Sequence, residues 1–589
     1  MTTFVFETIT AAQALSYSSA SDALVFTNPT STGSKMTVLF TAVPGTATVP
    51  ATTSVTLTDN ADGKTVVFGA GILGETGITF PDGSQLIVGT SSGDATLTGG
   101  ALGDGIFGFD GNDTIDGGAG NDVLQGNAGN DNITAGAGND TVFGGQGDDT
   151  IDVTAGVNFA QGNKGNDTIT AAASTSSNTI LGGQNDDSII GGAGSDFLNG
   201  NLGNDTIASG GGSDTIFGED GDDNITATNV AAATGVNVAI DGGAGNDTIL
   251  ASGITGGGSV QGGADNDSIT VSGANTTALL VHGNAGNDTL LVSNTGVGTY
   301  LGGMGNDTIT SSGNNTGLLN GNAGNDSLTA GTGNDTILGE DGNDSIVDTG
   351  GVNSIDGGAG NDVINSSGSG ASQANSIFGG AGDDNITSTG LGNDVINGGD
   401  GNDTILASGG GKINVDGGLG DDNITTGAGT DTVTAGAGND VISTLGGNDV
   451  INGGDGNDAI TGGAGKDIMT GGAGIDTFNF AAGESTQTVG TQDQITDWTG
   501  GAGGDILNFG LSAGSNTNYI EGTEADYASA LVTANLRFAA GIDFVAIQVG
   551  GDVVVFADNG GTGNALDATD DAVVLVGRTL NDIDFSNLH

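Results

Sequence analysis

The sequence predicts an all-β chain wound as a parallel β-solenoid between two β-rich ends. Three observations carry this. A nine-residue phrase, Gly-Gly-X-Gly-Asn-Asp-X-apolar-X, repeats from about Gly108 to Phe478, with a clean copy at 117–125. Its Asp recurs twenty-nine times, and the residue two places later is apolar in every copy. The residue two places earlier is Gly in twenty-seven copies, and Asn185 or Asp265 in the others. Asn and Asp tolerate the left-handed backbone region better than other non-Gly residues. Both exceptions therefore meet one demand: φ > 0 before the carboxylate, then a side chain turned inward. Self-similarity at a short fixed period is the signature of stacked coils.

Residues 1–100 lack the phrase and read as a β-rich cap or anchoring domain. Short β-prone runs lie at 23–26, 36–40, 53–57, 65–68 and 85–88, separated by Asn28-Pro29, Asp62-Gly63 and Pro81-Asp82-Gly83. A solenoid needs an atypical end to hide its open core.

Residues 101–480 are the coiled region. Six glycine-rich residues of each phrase form a turn. The other three form a short strand whose central side chain points inward, because strand side chains alternate faces. Two phrases make one coil of 18 residues. Steps between Asp positions are about 9, or about 18 to 24; a long step is a full coil whose far turn has lost the phrase. One edge therefore keeps every turn: Asp113, Asp131, Asp149, Asp167, Asp187, Asp205, Asp223, Asp247, Asp267, Asp288, Asp307, Asp326, Asp344, Asp362, Asp384, Asp403, Asp422, Asp440, Asp458 and Asp476. The other keeps only Asp122, Asp140, Asp196, Asp214, Asp335, Asp394, Asp431, Asp449 and Asp467. Its gaps, including 171–178, 227–237, 252–259 and 368–376, are rich in Ser, Thr, Ala, Asn and Gly and read as loops. Asp110, Asp220, Asp341, Asp400 and Asp455, at the third turn position, are expected to face solvent.

Each turn offers main-chain carbonyls and one hard anionic oxygen, and Ca²⁺ takes six to eight oxygens in a flexible shell. The twenty-nine Asp residues are the candidate metal ligands. The phrase resembles the RTX calcium-binding nonapeptide. The resemblance implies a right-handed parallel β-roll holding many Ca²⁺ ions, each between turns of successive coils and sharing the Asp of both. Asp335 and Asp394 have no such neighbour one coil away and are expected to bind weakly or not at all.

Residues 481–589 read as a β-rich C-terminal cap and secretion-signal region. Asp-Thr-Phe-Asn-Phe at 476–480, the stretches 493–498 and 504–509, and the acidic-apolar end at 580–589 resemble the tail of type I secreted RTX proteins. Runs 544–549 and 553–556 flank Gly550-Gly551 as a hairpin. Trp498, the single Trp, reads as a packed cap residue. The implied route is one-step export of an unfolded chain, followed by folding at external calcium of roughly 10⁻³ M.

Composition agrees. There are 71 Asp+Glu against 7 Lys+Arg, a formal net charge of -64. Without cations such a chain repels itself, so folding should be coupled to calcium. Nucleic acid, which needs basic patches, is an unsuitable partner. Cys is absent. The N-terminal residues show no Sec-type signal, and no apolar run is long enough for a transmembrane segment. No catalytic constellation is evident: the two His residues are His282 and His589, and no His-Glu-X-X-His motif occurs. The expectation is therefore no enzyme and no cofactor other than Ca²⁺. The chain reads as a secreted, extracellular, calcium-dependent structural protein that resembles bacterial surface-layer proteins. Its expected partners are copies of itself, in a lattice or filament, and the type I export machinery. An adhesin binding a cell-surface polysaccharide through residues 1–100 is the alternative, and a polysaccharide-modifying enzyme a weaker one.

Overall fold

The apolar residue two places after each Asp is what the chain winds around. A computed structural model describes residues 75–589 apart from 95, 154, 229–237, 275–277, 314–315, 368–373, 489, 512–518, 541, 560–565 and 567–568. Before 75 it describes 2–6, 9, 13–14, 22–25, 36–43, 52–59 and 64–69. The chain divides into two units, Met1–Val297 and Gly298–His589.

In the first unit two parallel sheets face each other. One lines up Ile115, Ile133, Ile151, Ile169, Ile189, Ile207, Ile225, Ile249 and Ile269, each the register partner of the next. The other lines up Ile106, Leu124, Val142, Ala160, Ile180, Leu198, Ile216, Ile240, Val260 and Val281. All are buried. Their flanking residues, as in Thr168–Thr170, turn outward. β-branched residues suit this half-buried pleat. A one-residue slip would expose the whole apolar column, so the register is strongly fixed.

The long-step reading holds. Phe159–Lys164 follows Asn158, where an Asp is missing, yet it pairs in register with Thr141–Gln146 and Thr179–Gln184. The gap at 252–259 is corrected: the strands Thr248–Ile254 and Gly258–Ala264 run into it from both sides, because their apolar columns continue. At 171–178 a tight turn is anchored by the Ser174 N–H, which donates to the Ala171 carbonyl at 2.7 Å. Most of 227–237 and 368–376 lies outside the described residues.

Before the coils, Met36–Val43, Thr52–Asp59 and Lys64–Gly69 form an antiparallel sheet. Gln85–Val88 pairs antiparallel with Glu75–Thr79 and parallel with Gly105–Asp110. Phe107 and Phe109 of the first coil pack with Phe6, Ile9, Leu24, Met36, Leu57, Ile78, Phe80 and Leu86, which close that end of the core.

The second unit repeats the architecture. Ile309, Leu328, Ile346, Ile364, Ile386, Ile405, Ile424, Ile442, Ile460 and Phe478 form one column. Leu319, Ile337, Ile355, Ile377, Ile396, Val415, Val433, Ile451 and Met469 form the other. Asp493–Ile495 and Ile506–Asn508 extend the two sheets past Asp476. The hairpin of Phe544–Val549 and Asp552–Ala557 forms as expected, with Gly550 at φ 63°. Trp498 is fully buried, 6.5 Å from the Phe478 ring, and its indole N–H donates to the Asp582 carbonyl at 3.1 Å. The sequence expectation omitted a helix, Tyr527–Phe538. It packs Ala530, Ala534 and Phe538 on Val545, Ile547, Val554 and Phe556, and Asp526 caps it by accepting from the Ser529 N–H. Among the described residues no helix is long and apolar enough to cross a membrane.

Candidate metal centre

The glycine-rich turns stack as the strands do, and that places one Asp directly above another. All twenty-nine predicted Asp residues are buried. Their carboxylate oxygens have separate duties. Oδ1 joins coils: the Asp113 N–H donates to Asp131 Oδ1 at 2.8 Å, Asp131 to Asp149 at 2.8 Å, and Asp149 to Asp167 at 2.8 Å. In the second unit Asp326 donates to Asp344, and Asp344 to Asp362, both at 2.7 Å. Oδ2 is buried and accepts no hydrogen bond at, for example, Asp113, Asp131, Asp149, Asp167, Asp187, Asp344, Asp362 and Asp403. A buried carboxylate oxygen without a partner is costly unless a cation faces it.

The space beside those oxygens is ringed by further oxygen. A Cβ added to Gly108 would lie 2.4 Å from Asp113 Oδ2 and 2.8 Å from the Gly126 carbonyl oxygen of the next coil. At Gly357 it would lie 2.4 Å from both Asp362 Oδ2 and the Gly379 carbonyl. At these turns Gly lets the Asp Oδ2 and the next coil's carbonyl come close to the backbone and to each other, whereas Ala135, Ser209, Ala330, Thr389, Thr426, Ala435 and Thr444 take that place in other copies. Among the described residues no three His, Cys, Asp or Glu side chains cluster as a metal site. These turns need no such cluster, because a main-chain carbonyl joins the Asp. The residues present fit Ca²⁺.

The backbone demand is met. Asn185 sits at φ 77° and Asp265 at φ 75°, in the left-handed region that Gly111 and Gly129 also occupy. It holds throughout the complete edge but not the other, where Gly194 and Gly429 lie outside that region. A second left-handed position, two residues before the first, was missed in the sequence. It carries Gly145 or Gly183, but also Asn127 (80°), Glu219 (79°) and Glu340 (76°). Glu hides that requirement, whereas Asn and Gly advertise it.

Four ladder members were also missed. Asp94 and Asp104 precede the first predicted pair: the Asp94 N–H donates to Asp113 Oδ1 and the Asp104 N–H to Asp122 Oδ1, both at 2.7 Å. Asp493 and Asp505 accept from the Asp467 and Asp476 N–H groups. Asp104, Asp493 and Asp505 each have an apolar residue two places on (Ile106, Ile495 and Leu507), a signal that could have found them.

Burial, and then neighbouring carboxylates, push Asp149, Asp187 and Asp467 up to about 8 from the ordinary 3.8. Asp131 rises to about 7 from burial and from Asp113 one coil away. An outer ladder behaves differently. Exposed side chains at the position before each Asp link coils in the reverse sense: Asn130 N–H to Asn112 Oδ1, Asp148 to Asn130, Asn166 to Asp148, then Asn204 to Asp186, Asp222 to Asn204 and Asn246 to Asp222. Here no Asp stands on an Asp.

Asp110, Asp220, Asp341, Asp400 and Asp455 are exposed, as expected. His282 is half-buried on an outward strand position beside Gln261, and burial lowers its pKa. Asp394 and Asp335 differ: Asp394 Oδ2 accepts from the Ser388 hydroxyl at 2.6 Å, whereas Asp335 Oδ2 has no hydrogen-bond partner.

The family model for the RTX calcium-binding nonapeptide repeat (4 copies) matches residues 90–124, 116–151, 152–175, 172–207, 200–229, 237–253, 311–346, 338–369, 367–390, 388–411, 414–442 and 443–478, together more than half of the chain. No curated protein matches it.

Proposed function

The chain belongs to the RTX calcium-binding nonapeptide repeat family, whose repeats bind Ca²⁺ and whose members are type I secreted, and from that premise we propose a calcium-dependent structural protein that folds outside the cell and assembles with copies of itself into a surface layer or extracellular matrix. The observation that carries the reading is the stack of buried, partnerless Asp Oδ2 atoms at successive coils. Bound calcium supplies the positive charge that lets those carboxylates stay ionised. The Asp Oδ1 atoms tie coil to coil, and phrase glycines such as Gly108 and Gly357 let Oδ2 and the next coil's carbonyl come close. The chain's chemistry is thus spread along its edges rather than gathered at one cleft.

The end of the chain supports folding after export. The Phe509 N–H donates to the main-chain oxygen of His589 at 2.6 Å and the His589 N–H to the Leu507 carbonyl at 2.9 Å. Asn587 Nδ2 donates to the Asp505 carbonyl at 2.8 Å, and Leu588 is fully buried. A secretion signal in this segment is free to be read only while the cap is unfolded. The test is electron microscopy of the purified chain before and after calcium addition. Regular sheets or filaments that appear with calcium and dissolve with chelator support the proposal. Folded monomers at every calcium concentration refute assembly, and if they bind a glycan they favour the adhesin reading.

A further inference from the structure

The interrupted edge is not simply an edge with ligands removed. At two of its gaps the ladder continues through asparagines. The Asp140 N–H donates to Asn158 Oδ1 at 2.8 Å and the Asn158 N–H to Asn178 Oδ1 at 3.1 Å. In the second unit the Asp335 N–H donates to Asn353 Oδ1 at 2.7 Å and the Asn353 N–H to Asn375 Oδ1 at 2.8 Å. All four Asn residues are buried. The amide oxygen therefore performs the coil-joining duty of an Asp Oδ1.

The other terminal atom differs in kind. Where an Asp leaves Oδ2 in need of a cation, each Asn has an NH₂ group that donates to the turn. Asn158 Nδ2 reaches the Val153 carbonyl at 2.9 Å and the Ala155 carbonyl at 3.1 Å. Asn178 Nδ2 reaches the Ser176 carbonyl at 3.0 Å. Asn353 Nδ2 reaches the Gly350 carbonyl at 3.3 Å. Asn375 Nδ2 donates to Ser366 Oγ at 2.9 Å, and that hydroxyl donates to Asp348 Oδ2 at 2.9 Å. The amide orientation follows from these partners: reversing Asn158 would set an oxygen against two carbonyl oxygens.

Resting on the calcium reading of the ladders, we propose that Asn158, Asn178, Asn353 and Asn375 are metal-replacing positions: the turns they close take no calcium, and one neutral amide does the work of a carboxylate and its ion. An NH₂ group offers a cation no lone pair, and its hydrogens already occupy the carbonyl or hydroxyl oxygens facing it. The interrupted edge then holds ion-closed coils, two pairs of consecutive amide-closed coils, and coils such as those of Val238, Leu279 and Ile413 where neither residue stands at that position.

The test is the full-length chain at saturating calcium, with ions located by anomalous scattering in wild type and in Asn158→Asp. Expected are ions beside Asp149 and Asp167 in both proteins, none within coordinating distance of the four asparagines in wild type, and one additional ion beside position 158 in the variant. An ion held by Asn158 or Asn178 Oδ1 in wild type overturns the proposal. So does a variant with intact Asp149 and Asp167 ions and none at 158, since the amide would then not be what excludes the cation. Absence of ions at Asp149 and Asp167 would instead overturn the calcium reading itself. Should Asn158→Asp fail to fold, Asn353→Asp provides the same comparison in the second unit.

Discussion

Removing calcium and titrating the full chain should unfold it as pH rises. Burial is the first cause of the raised Asp pKa values and neighbouring carboxylates the second; Asp149, Asp187, Asp267 and Asp467 stand at about 8 against the ordinary 3.8. At about 1.4 kcal/mol per pH unit of displacement, each such group disfavours the ionised fold by roughly 5–6 kcal/mol. Halving that for solvent screening leaves about 3 kcal/mol. These four carboxylates, at about 12 kcal/mol together, then match the whole stability of an ordinary domain, about 5–15 kcal/mol. The sign follows from the direction. A folded-state pKa raised above the unfolded one leaves the fold unpenalised below the unfolded pKa and costs it stability as pH rises through the folded one. The calcium-free chain should therefore show β-sheet circular dichroism near pH 5, lose it between about pH 6 and 8, and regain it at pH 8 on calcium addition. A calcium-free chain with its full β signal at pH 8, or one whose signal grows with pH, would refute the reasoning.

Three further outcomes follow from single residues. Asn185→Val, a β-branched side chain at φ 77°, should lower the calcium-loaded unfolding midpoint, at about 1–2 kcal/mol for the left-handed backbone, while Asn185→Gly should not; equal midpoints would count against the backbone requirement. Ile207→Ala, in the middle of a buried column, should cost about 2–5 kcal/mol in denaturant unfolding with calcium present; a loss under 1 kcal/mol would mean that the column is not the core. Asn204→Asp would set three exposed carboxylates in consecutive coils between Asp186 and Asp222. It should lower the melting temperature at low salt only, and the deficit should vanish near about 0.5 M NaCl, where the Debye length is under about 5 Å; a deficit that persists would mean the outer ladder is not electrostatic.

Much of this was legible because a repeat prints the same physical demand many times. Asn185 and Asp265 could be recognised as left-handed residues only because twenty-seven glycines fill the same position. The apolar residue two after Asp fixed the strand register, and it fixed the coil length even where the far turn had no Asp, as at Asn158. What escaped was information carried by single copies. Asp94 and Asp505 close the ladders outside the phrase, with Oδ2 accepting from the Thr90 and Thr499 N–H groups. The helix Tyr527–Phe538 has only a short buried face, Ala530, Ala534 and Phe538. Asn158 and Asn353 looked like lost motifs, because their Nδ2 contacts depend on turn carbonyls that no spacing rule specifies.

The two ladders of the complete edge separate structure from charge. Both join coils through side-chain oxygens of stacked Asn or Asp, so hydrogen-bond geometry alone accepts either residue. In the exposed outer ladder, Asp148, Asp186 and Asp222 are separated by Asn166 and Asn204, and in the second unit Asp383 and Asp421 by Asn402. Water already screens that surface, yet like charges are kept apart. In the buried inner ladder, where the same repulsion is stronger, Asp stands on Asp from Asp113 through Asp267 and from Asp307 through Asp476. Hydrogen bonding cannot explain the inner choice, because Asn158 and Asn353 show that an amide closes such a turn. Retaining carboxylates at the more costly position is rational only if a divalent cation lies between them when the chain is folded. On the proposed reading, calcium belongs to the folding equilibrium of this chain rather than to its finished surface.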